Sequence, residues 1–587
     1  MTFPQLISLA VVLFLVLSLY KEWFNPSLSF FISAMVLLLA NVITPQELLK
    51  GLSNQQIIII FLLVLVTAGI RAIYGTRLLS RLFNPALSPK KFLIRMMVLT
   101  SSISAFLNNT PIVAFMIPYV KEWADKTGNS SSKFLIPLSF ATILGGMITV
   151  IGTSTNLVLN GLVAEYNLPL LGFQDFLYLG IIVTLMGWLY LYFIGYRLLP
   201  AHKEGLEEVR QNLTEYIVET SVFTGSPLVG KSVRDAGLRK LQDLFLVEIL
   251  RQGVIISPVA PEEILEEGDL LFFSGNTESI YKLIREENGL RIPRQENLEQ
   301  LGQFHFVEAV IPSGSDLTGV RIKDSDFRSR FNASIVAIHR NGKRVAGKVG
   351  EVPLAGGDFL LLLAGDQARS SSHDKDLFFL SVPQQMKSPK PNWYVWAGAI
   401  SFAVLILGVT GIIPLFTACL ALLTGMIFLR ILNITEIKRN LDLSLLVVLV
   451  CSLAIGIALE KSGTAELIAS VLIKSVKSLG PVAVLSSLFI VTIILTSLIT
   501  NAAAVSIVFP IAMSMAEQMH LSYTPFFVAI AFAASGDFMT PIGYQTNLMV
   551  YGPGGYSFRD FLKVGTPLTI LYIVICISFI SMYYNLY

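Results

Sequence analysis

Asn109 and Asn501 carry amides that can both donate and accept, and each interrupts an otherwise apolar stretch. The first stretch reads Phe106-Leu107-Asn108-Asn109-Thr110-Pro111-Ile112-Val113, with Pro118 after it. The second reads Leu498-Ile499-Thr500-Asn501-Ala502-Ala503-Ala504-Val505, with Pro510 after it. Asn and Pro recur at one offset, 392 positions. Two further pairs follow in the same order. Gly152-Thr153-Ser154-Thr155-Asn156-Leu157 matches Gly543-Tyr544-Gln545-Thr546-Asn547-Leu548 at 391, and Phe173-Gln174-Asp175-Phe176-Leu177 matches Phe558-Arg559-Asp560-Phe561-Leu562 at 385. Polar, Gly/Pro-interrupted segments at corresponding places in two halves point to a binding site at a repeat interface. The helix N-termini exposed at such breaks suit an anion, and the C-terminal ends and unwound carbonyls suit a small cation. Lys and Arg are absent from both tips. An anion there is held by dipoles, amides and co-bound cations, and it can leave when the cation leaves.

The elements that must position these tips are membrane helices. The chain has 587 residues, 53% hydrophobic and 14% charged, which is the balance of an α-helical polytopic membrane protein. A net charge of +3 is too small to imply nucleic acid. Apolar runs predict crossings near 5–20, 27–43, 56–74, 134–164 and 175–198, and again near 392–412, 414–433, 443–460, 523–552 and 562–586. Leu6 to Tyr20 reads as a retained helix, because no basic residues precede it and no small-residue cleavage site follows. The stretches 92–119 and 480–518, with the Asn tips in their middles, read as re-entrant hairpins that must be buried in protein or line a wet cavity. Arg77, Arg81, Lys90, Lys91, Arg95, Lys121, Lys126 and Lys133 flank the first hairpin and place those loops in the cytoplasm. The N- and C-termini then lie outside, and the second half is inverted relative to the first. Lys438 and Arg439 fall on an inner loop as the charge rule requires, whereas Lys461, Lys474 and Lys477 fall on an outer one. Cys419, Cys451 and Cys576 all lie in apolar segments and read as packing residues.

Residues 200–390 change character, becoming acidic with short β-like runs such as Leu270 to Phe273 and Phe359 to Leu363. This soluble insert is itself doubled at an offset of 89. Gly225-Ser226-Pro227-Leu228-Val229-Gly230 matches Gly314-Ser315-Asp316-Leu317-Thr318-Gly319, Arg251-Gln252-Gly253 matches Arg340-Asn341-Gly342, and Gly268-Asp269 matches Gly357-Asp358. Each copy predicts a strand, a Gly turn, a short helix, a hairpin and a closing strand after Gly-Asp. No GxGxxG nucleotide fingerprint is present, and His305 and His339 form no metal pattern. The insert reads either as a dimerisation or stability module or as a ligand-sensing regulator.

The tips and the Gly-Thr-Ser-Thr-Asn segment resemble the divalent anion/sodium symporter family over about 1–200 and 390–587. The insert resembles two tandem TrkA-C (RCK C-terminal) domains, 206–292 and 296–385, and the combination is similar to sulfate permeases of cyanobacteria and algae. That resemblance implies two inverted-topology repeats, each with about five crossings and a re-entrant hairpin, the α+β insert lying between them. It implies one sodium site at Ser104, Asn109 and Gly152, and a second at Thr496, Asn501 and Gly543. Substrate contacts fall to Asn108, Asn109, Thr110, Thr153, Thr500, Asn501, Ala502 and Tyr544. The family's tips carry Ser-Asn-Thr. Here Ala502 lacks the hydroxyl and Asn108 supplies an amide, which argues against a dicarboxylate and for a compact oxyanion, sulfate first. Thr155, Asn156, Thr546 and Asn547 read either as ligands or as caps of the broken helices. Asp175 and Asp560 begin helices and oppose the dipole. Asp537, an acid within an apolar stretch, is a cation ligand or a proton site and has no first-half counterpart, Met147 or Ile148 standing in its place.

The expected function is sodium-coupled import of a divalent oxyanion by alternating access across the cell (inner or plasma) membrane. The TrkA-C domains are expected to be cytoplasmic and to bind some small ligand, and the assembly to be a homodimer. A dicarboxylate or other oxyanion carrier, a cation/proton antiporter and a transporter-like anion sensor remain as alternatives. A channel lacks a filter-like motif, and an enzyme lacks a nucleophile–base set.

Overall fold

The structure is a computed structural model of the 587-residue chain. It describes all residues except 22, 75–85, 202–216, 239–240, 242–243, 253, 257–258, 276–288, 292–305, 313–314, 332, 341–342, 346–348, 365–375, 380–392, 434–436, 439–442, 542 and 587. Arg77, Arg81, Gly253, His305, Gly314, Asn341, Gly342 and Arg439 therefore lie outside the described residues. The chain divides into two compact units, one of residues 1–200, 386–550 and 558–587, the other of 201–385 with 551–557.

The first unit is helical. Its first half runs α1 (Phe3–Tyr20), α2 (Pro26–Leu39), α3 (Pro45–Ser53), α4 (Gln55–Tyr74), α5 (Pro89–Ser104), α6 (Asn109–Thr127), α7 (Ser132–Gly146), α8 (Ser154–Glu165) and α9 (Phe173–Tyr190). Its second half runs α10 (Trp393–Val409), α11 (Leu415–Phe428), α12 (Leu443–Lys461), α13 (Thr464–Val476), α14 (Pro481–Leu498), α15 (Asn501–Met519), α16 (Tyr523–Ser535), α17 (Gln545–Tyr551) and α18 (Phe558–Tyr583). The order of the second half repeats that of the first through a paired hairpin (α5–α6, α14–α15), a broken pair (α7–α8, α16–α17) and a long closing helix (α9, α18). Among the described residues, five helices are long and apolar enough to span a bilayer, or up to seven if two bent pairs each count as one. Each of the expected crossings 134–164 and 523–552 is two short helices with a break between them.

Local sequence explains the breaks. Asn108 and Thr500 precede the second arms of the hairpins as N-caps, and Pro111 sits in the first turn of α6, where a missing N–H costs nothing. Pro118 and Pro510 lie inside those second arms at matching places.

Two helices escaped the sequence reading. α3 carries Glu47 and Lys50, and α13 follows α12 after a 70° bend and carries Glu466 and Lys474. Both mix charged and apolar residues, a composition suited to an interface rather than a crossing. Lys461, which the sequence alone leaves unpaired, bonds Glu47 through its Nζ at 2.9 Å. The three cysteines are free and buried.

Among the described residues, the second unit contains two five-stranded antiparallel sheets of one topology. The first is built from β1 (Ile217–Val222), β2 (Leu244–Arg251), β3 (Val254–Ile256), β4 (Leu270–Gly275) and β5 (Leu290–Arg291), ordered β3-β2-β4-β1-β5. The second, β6 (Phe306–Val310), β7 (Ala333–Arg340), β8 (Lys343–Arg344), β9 (Phe359–Ala364) and β10 (Phe378–Phe379), is ordered β10-β6-β9-β7-β8, the same arrangement read from the other edge. Even the irregularity is duplicated. β2 slips register between Leu246 and Glu248, and β7 slips between Ile335 and Ala337, 89 positions on. The cores match position by position: Val222, Ile249, Leu271 and Phe273 in one, Ile311, Ile338, Leu360 and Leu362 in the other. The doubled Arg and Gly-Asp form a fork in each copy. Arg251 Nε and an Nη bond the two oxygens of Asp269 at 2.8 and 2.9 Å, and Arg340 does the same to Asp358 at 2.7 Å each. Both aspartates are fully buried. The Asp269 hydrogen bonds hold the Arg251 guanidinium above its ordinary value. The second copy contains a short helix, Phe327–Phe331. The edge strands β5 and β10 were not anticipated.

Candidate transport site

The first hairpin and first break meet at Asn109, which opens α6 and is buried. Its Oδ1 accepts from Ser104 Oγ at 2.5 Å, and its Nδ2 donates to the Tyr544 hydroxyl at 2.5 Å. The chain between α7 and α8 passes close behind. A Cβ at Gly152 would fall 2.7 Å from the Ser104 carbonyl oxygen and would collide with that of Gly146, so only glycine fits. Thr149 Oγ1 accepts from the Gly152 N–H at 3.2 Å, and Asn156 Nδ2 donates to the Thr149 carbonyl at 3.1 Å.

The second half repeats this arrangement. Asn501 opens α15, and its Oδ1 lies 2.9 Å from Thr496 Oγ1, which also lies 2.8 Å from the Ala534 carbonyl oxygen. A Cβ at Gly543 would fall 2.7 Å from the Thr496 carbonyl oxygen and would overlap the Asp537 carboxylate. Thr540 Oγ1 accepts from the Gly543 N–H at 3.3 Å, and Asn547 Nδ2 donates to the Thr540 carbonyl at 3.1 Å. Each cradle thus gathers a side-chain amide oxygen, a hydroxyl five residues earlier and backbone carbonyls at a helix C-terminus. Oxygen donors at the negative end of a helix suit a small hard cation. Among the described residues, no group of three His, Cys, Asp or Glu could hold a metal.

The two halves are stitched together at this place. Besides the Asn109–Tyr544 bond, Thr110 Oγ1 donates to Gln545 Oε1 at 3.1 Å. Ser139, inside α7, lies 2.9 Å from Thr546 Oγ1 and 2.7 Å from Asn547 Oδ1. Thr153 caps α8, accepting from Thr155 N–H at 3.4 Å, and also neighbours the Tyr544 hydroxyl. Asn108, Asn109, Thr110, Thr153 and Tyr544 therefore belong to one locality with the N-termini of α6 and α8, whose free backbone N–H groups suit an anion.

Other residues are turned to local tasks. Thr500 caps α15 through the Ala503 N–H at 3.4 Å, and Ala502 is half-buried in its first turn. Asn156, Asn547, Thr155 and Thr546 are buried, and their hydrogen bonds hold the two breaks in shape. Asp175 accepts from the Gly172 N–H at 2.7 Å in the first turn of α9.

One register needs correction. Thr149 and Thr540 make the same bond and stand 391 apart, so the counterpart of Asp537 is Gly146, the last residue of α7, not Met147 or Ile148. Thr149, Thr540, Ser139, Gln545 and Gly146 were missed in the sequence. The two threonines were legible: Thr149-Val150-Ile151-Gly152 and Thr540-Pro541-Ile542-Gly543 extend the repeated motif by three residues.

Apolar helices of spanning length, wrapped about two polar breaks, define a multi-pass membrane transporter. The chain belongs to the citrate transporter family, whose model matches residues 12–531, with a further match over 488–586. It is 31% identical over 582 residues to the "Putative sulfur deprivation response regulator" of Chlamydomonas reinhardtii, covering 94% of this chain and 97% of that one. It is 30% identical over 580 residues to an uncharacterized transporter of Synechocystis sp., covering 96% and 95%. It is 23% identical over 786 residues to sodium/sulfate cotransporter 1 of Chlamydomonas reinhardtii, covering 96% and 88%.

Proposed function

We propose that this protein imports a divalent oxyanion, sulfate foremost, in symport with sodium. The observation that carries the reading is the doubled cradle: Ser104, Asn109 and Gly152 in one half, Thr496, Asn501 and Gly543 in the other, with the same bonds in each. A pair of oxygen-lined cradles beside helix N-termini gives sodium and anion adjacent places, so each stabilises the other. The relative named a sodium/sulfate cotransporter supports the choice of ion and substrate. In this reading the halves are inverted repeats, the hairpins are re-entrant and the protein is a homodimer in the cell membrane. The two matched sheets are TrkA-C domains on the cytoplasmic side, regulating transport through a small ligand.

Uptake by proteoliposomes tests this directly. Labelled sulfate should accumulate under an inward sodium gradient and not under a matched potassium gradient. Equal uptake in the two would reject sodium coupling, and uptake of citrate or succinate but not sulfate would reject the oxyanion. The family description favours the carboxylate reading as the second choice. A sensor role is favoured by the relative named for sulfur deprivation response. Under it, excision of 206–385 would leave uptake intact and abolish a transcriptional response.

A further inference from the structure

The two cradles differ in one group. Where the first half ends α7 with Gly146, the second half carries Asp537 just beyond α16. Asp537 is 1% exposed, and among the described residues it makes no ion pair. Ser497 Oγ lies 3.2 Å and Thr540 Oγ1 3.1 Å from its oxygens, and the backbone of Met539 and Thr540 also faces it. All these donors are neutral. Ser497 Oγ also lies 2.9 Å from the Ile493 carbonyl, and its single proton cannot serve both acceptors. A buried carboxylate with neutral neighbours is costly unless a cation joins it. Its carboxylate overlaps the space a Cβ at Gly543 would fill, so it borders the second cradle itself. The same cradle receives the Thr496 carbonyl oxygen and the C-terminal end of α16, and each adds negative potential.

We propose that Asp537 is a direct carboxylate ligand of the cation in the second cradle, making the two cation sites chemically unequal. The first site is neutral and closed by Gly146. The second is anionic, takes a hard monovalent cation, and fills first as sodium rises. This rests on the sodium-coupled reading above. It adds that one of the two bound charges is neutralised by the protein itself.

The test uses the full-length protein. Detergent-solubilised wild type should show a sodium-dependent rise in melting temperature without any anion, and Asp537→Asn should need at least about tenfold more sodium for the same rise. In proteoliposomes the same variant should raise half-saturating sodium by at least about tenfold, with the KM for the anion at saturating sodium changed far less. Ser497→Ala makes this position match Ala105 of the first half and frees one carboxylate oxygen. It should shift half-saturating sodium by about threefold or more, and it serves if Asp537→Asn does not fold. Unchanged sodium dependence in either folded variant overturns the proposal. A wild type whose anion uptake ignores sodium would sink the coupling reading, whereas the sodium-dependent melting shift would still report on Asp537.

Discussion

Asn109 Nδ2 donates to the Tyr544 hydroxyl at 2.5 Å, joining the tip of the first hairpin to the broken segment of the other half. The residues are 435 positions apart, so this bond is made only by the assembled site. Asn109→Ala removes it together with the Ser104 bond. The expected outcome is loss of at least about tenfold in kcat/KM for the anion. In a double-mutant cycle with Tyr544→Phe, the coupling should be about 0.5–3 kcal/mol. Additive effects would show that the bond is incidental.

The glycines at the breaks should resist the smallest substitution. Gly152→Ala and Gly543→Ala each place a methyl where carbonyl oxygens already stand. Both variants should fold, because the rest of each break is held by Thr149, Asn156, Thr540 and Asn547. Both should lose transport, measured as initial uptake at saturating sodium. Retained wild-type uptake in Gly152→Ala would show that the first cradle holds nothing during transport.

The Arg–Asp forks predict a matched pair of stability losses. Arg251→Ala leaves Asp269 buried and unpaired, and Arg340→Ala does the same to Asp358. Breaking a fully buried pair costs about 3–5 kcal/mol, and the partial exposure of the two arginines, greater at Arg340, puts these losses below that. Hydrogen exchange of the full-length protein should show β2–β4 losing protection in the first variant and β7–β9 in the second. Exchange unchanged in both would show that the forks are dispensable.

Glu219 gives a pH dependence with a definite sign. Burial raises its carboxyl above the ordinary value, and Oε1 has no hydrogen-bond partner among the described residues. The folded state then holds the proton more tightly than the unfolded chain. This contribution is fully present below about pH 4.5 and is lost as pH rises through the folded value. Protection of β1 should therefore fall from acid toward neutral pH, and Glu219→Gln should flatten that slope. A slope unchanged in the variant would assign it to another group.

The repeated motifs were legible because both copies answer the same steric demand. Asn109 and Asn501 begin helices, Gly152 and Gly543 admit close carbonyls, and the offset survives between them. The soluble duplication was legible for the same reason: Arg251 and Arg340 must reach an aspartate 18 residues later. Contacts that cross between halves were not legible. Nothing local to Ser139 or Gln545 announces a partner more than 400 positions away. The amphipathic α3 and α13 were missed because an apolar-length rule looks for crossings and passes over helices with charges on one side. Asp537 was noticed but misregistered, since only the Thr149 and Thr540 bonds fix which residue faces which cradle.

Ser139 has a further consequence. One hydroxyl on α7 reaches both Thr546 and Asn547, the residues that hold the opposite break in shape. Neither half can unwind its polar segment alone without stranding a buried hydrogen-bonding group of the other. The body of α7 in one half and the broken segment of the other are thus held as one hydrogen-bonded unit.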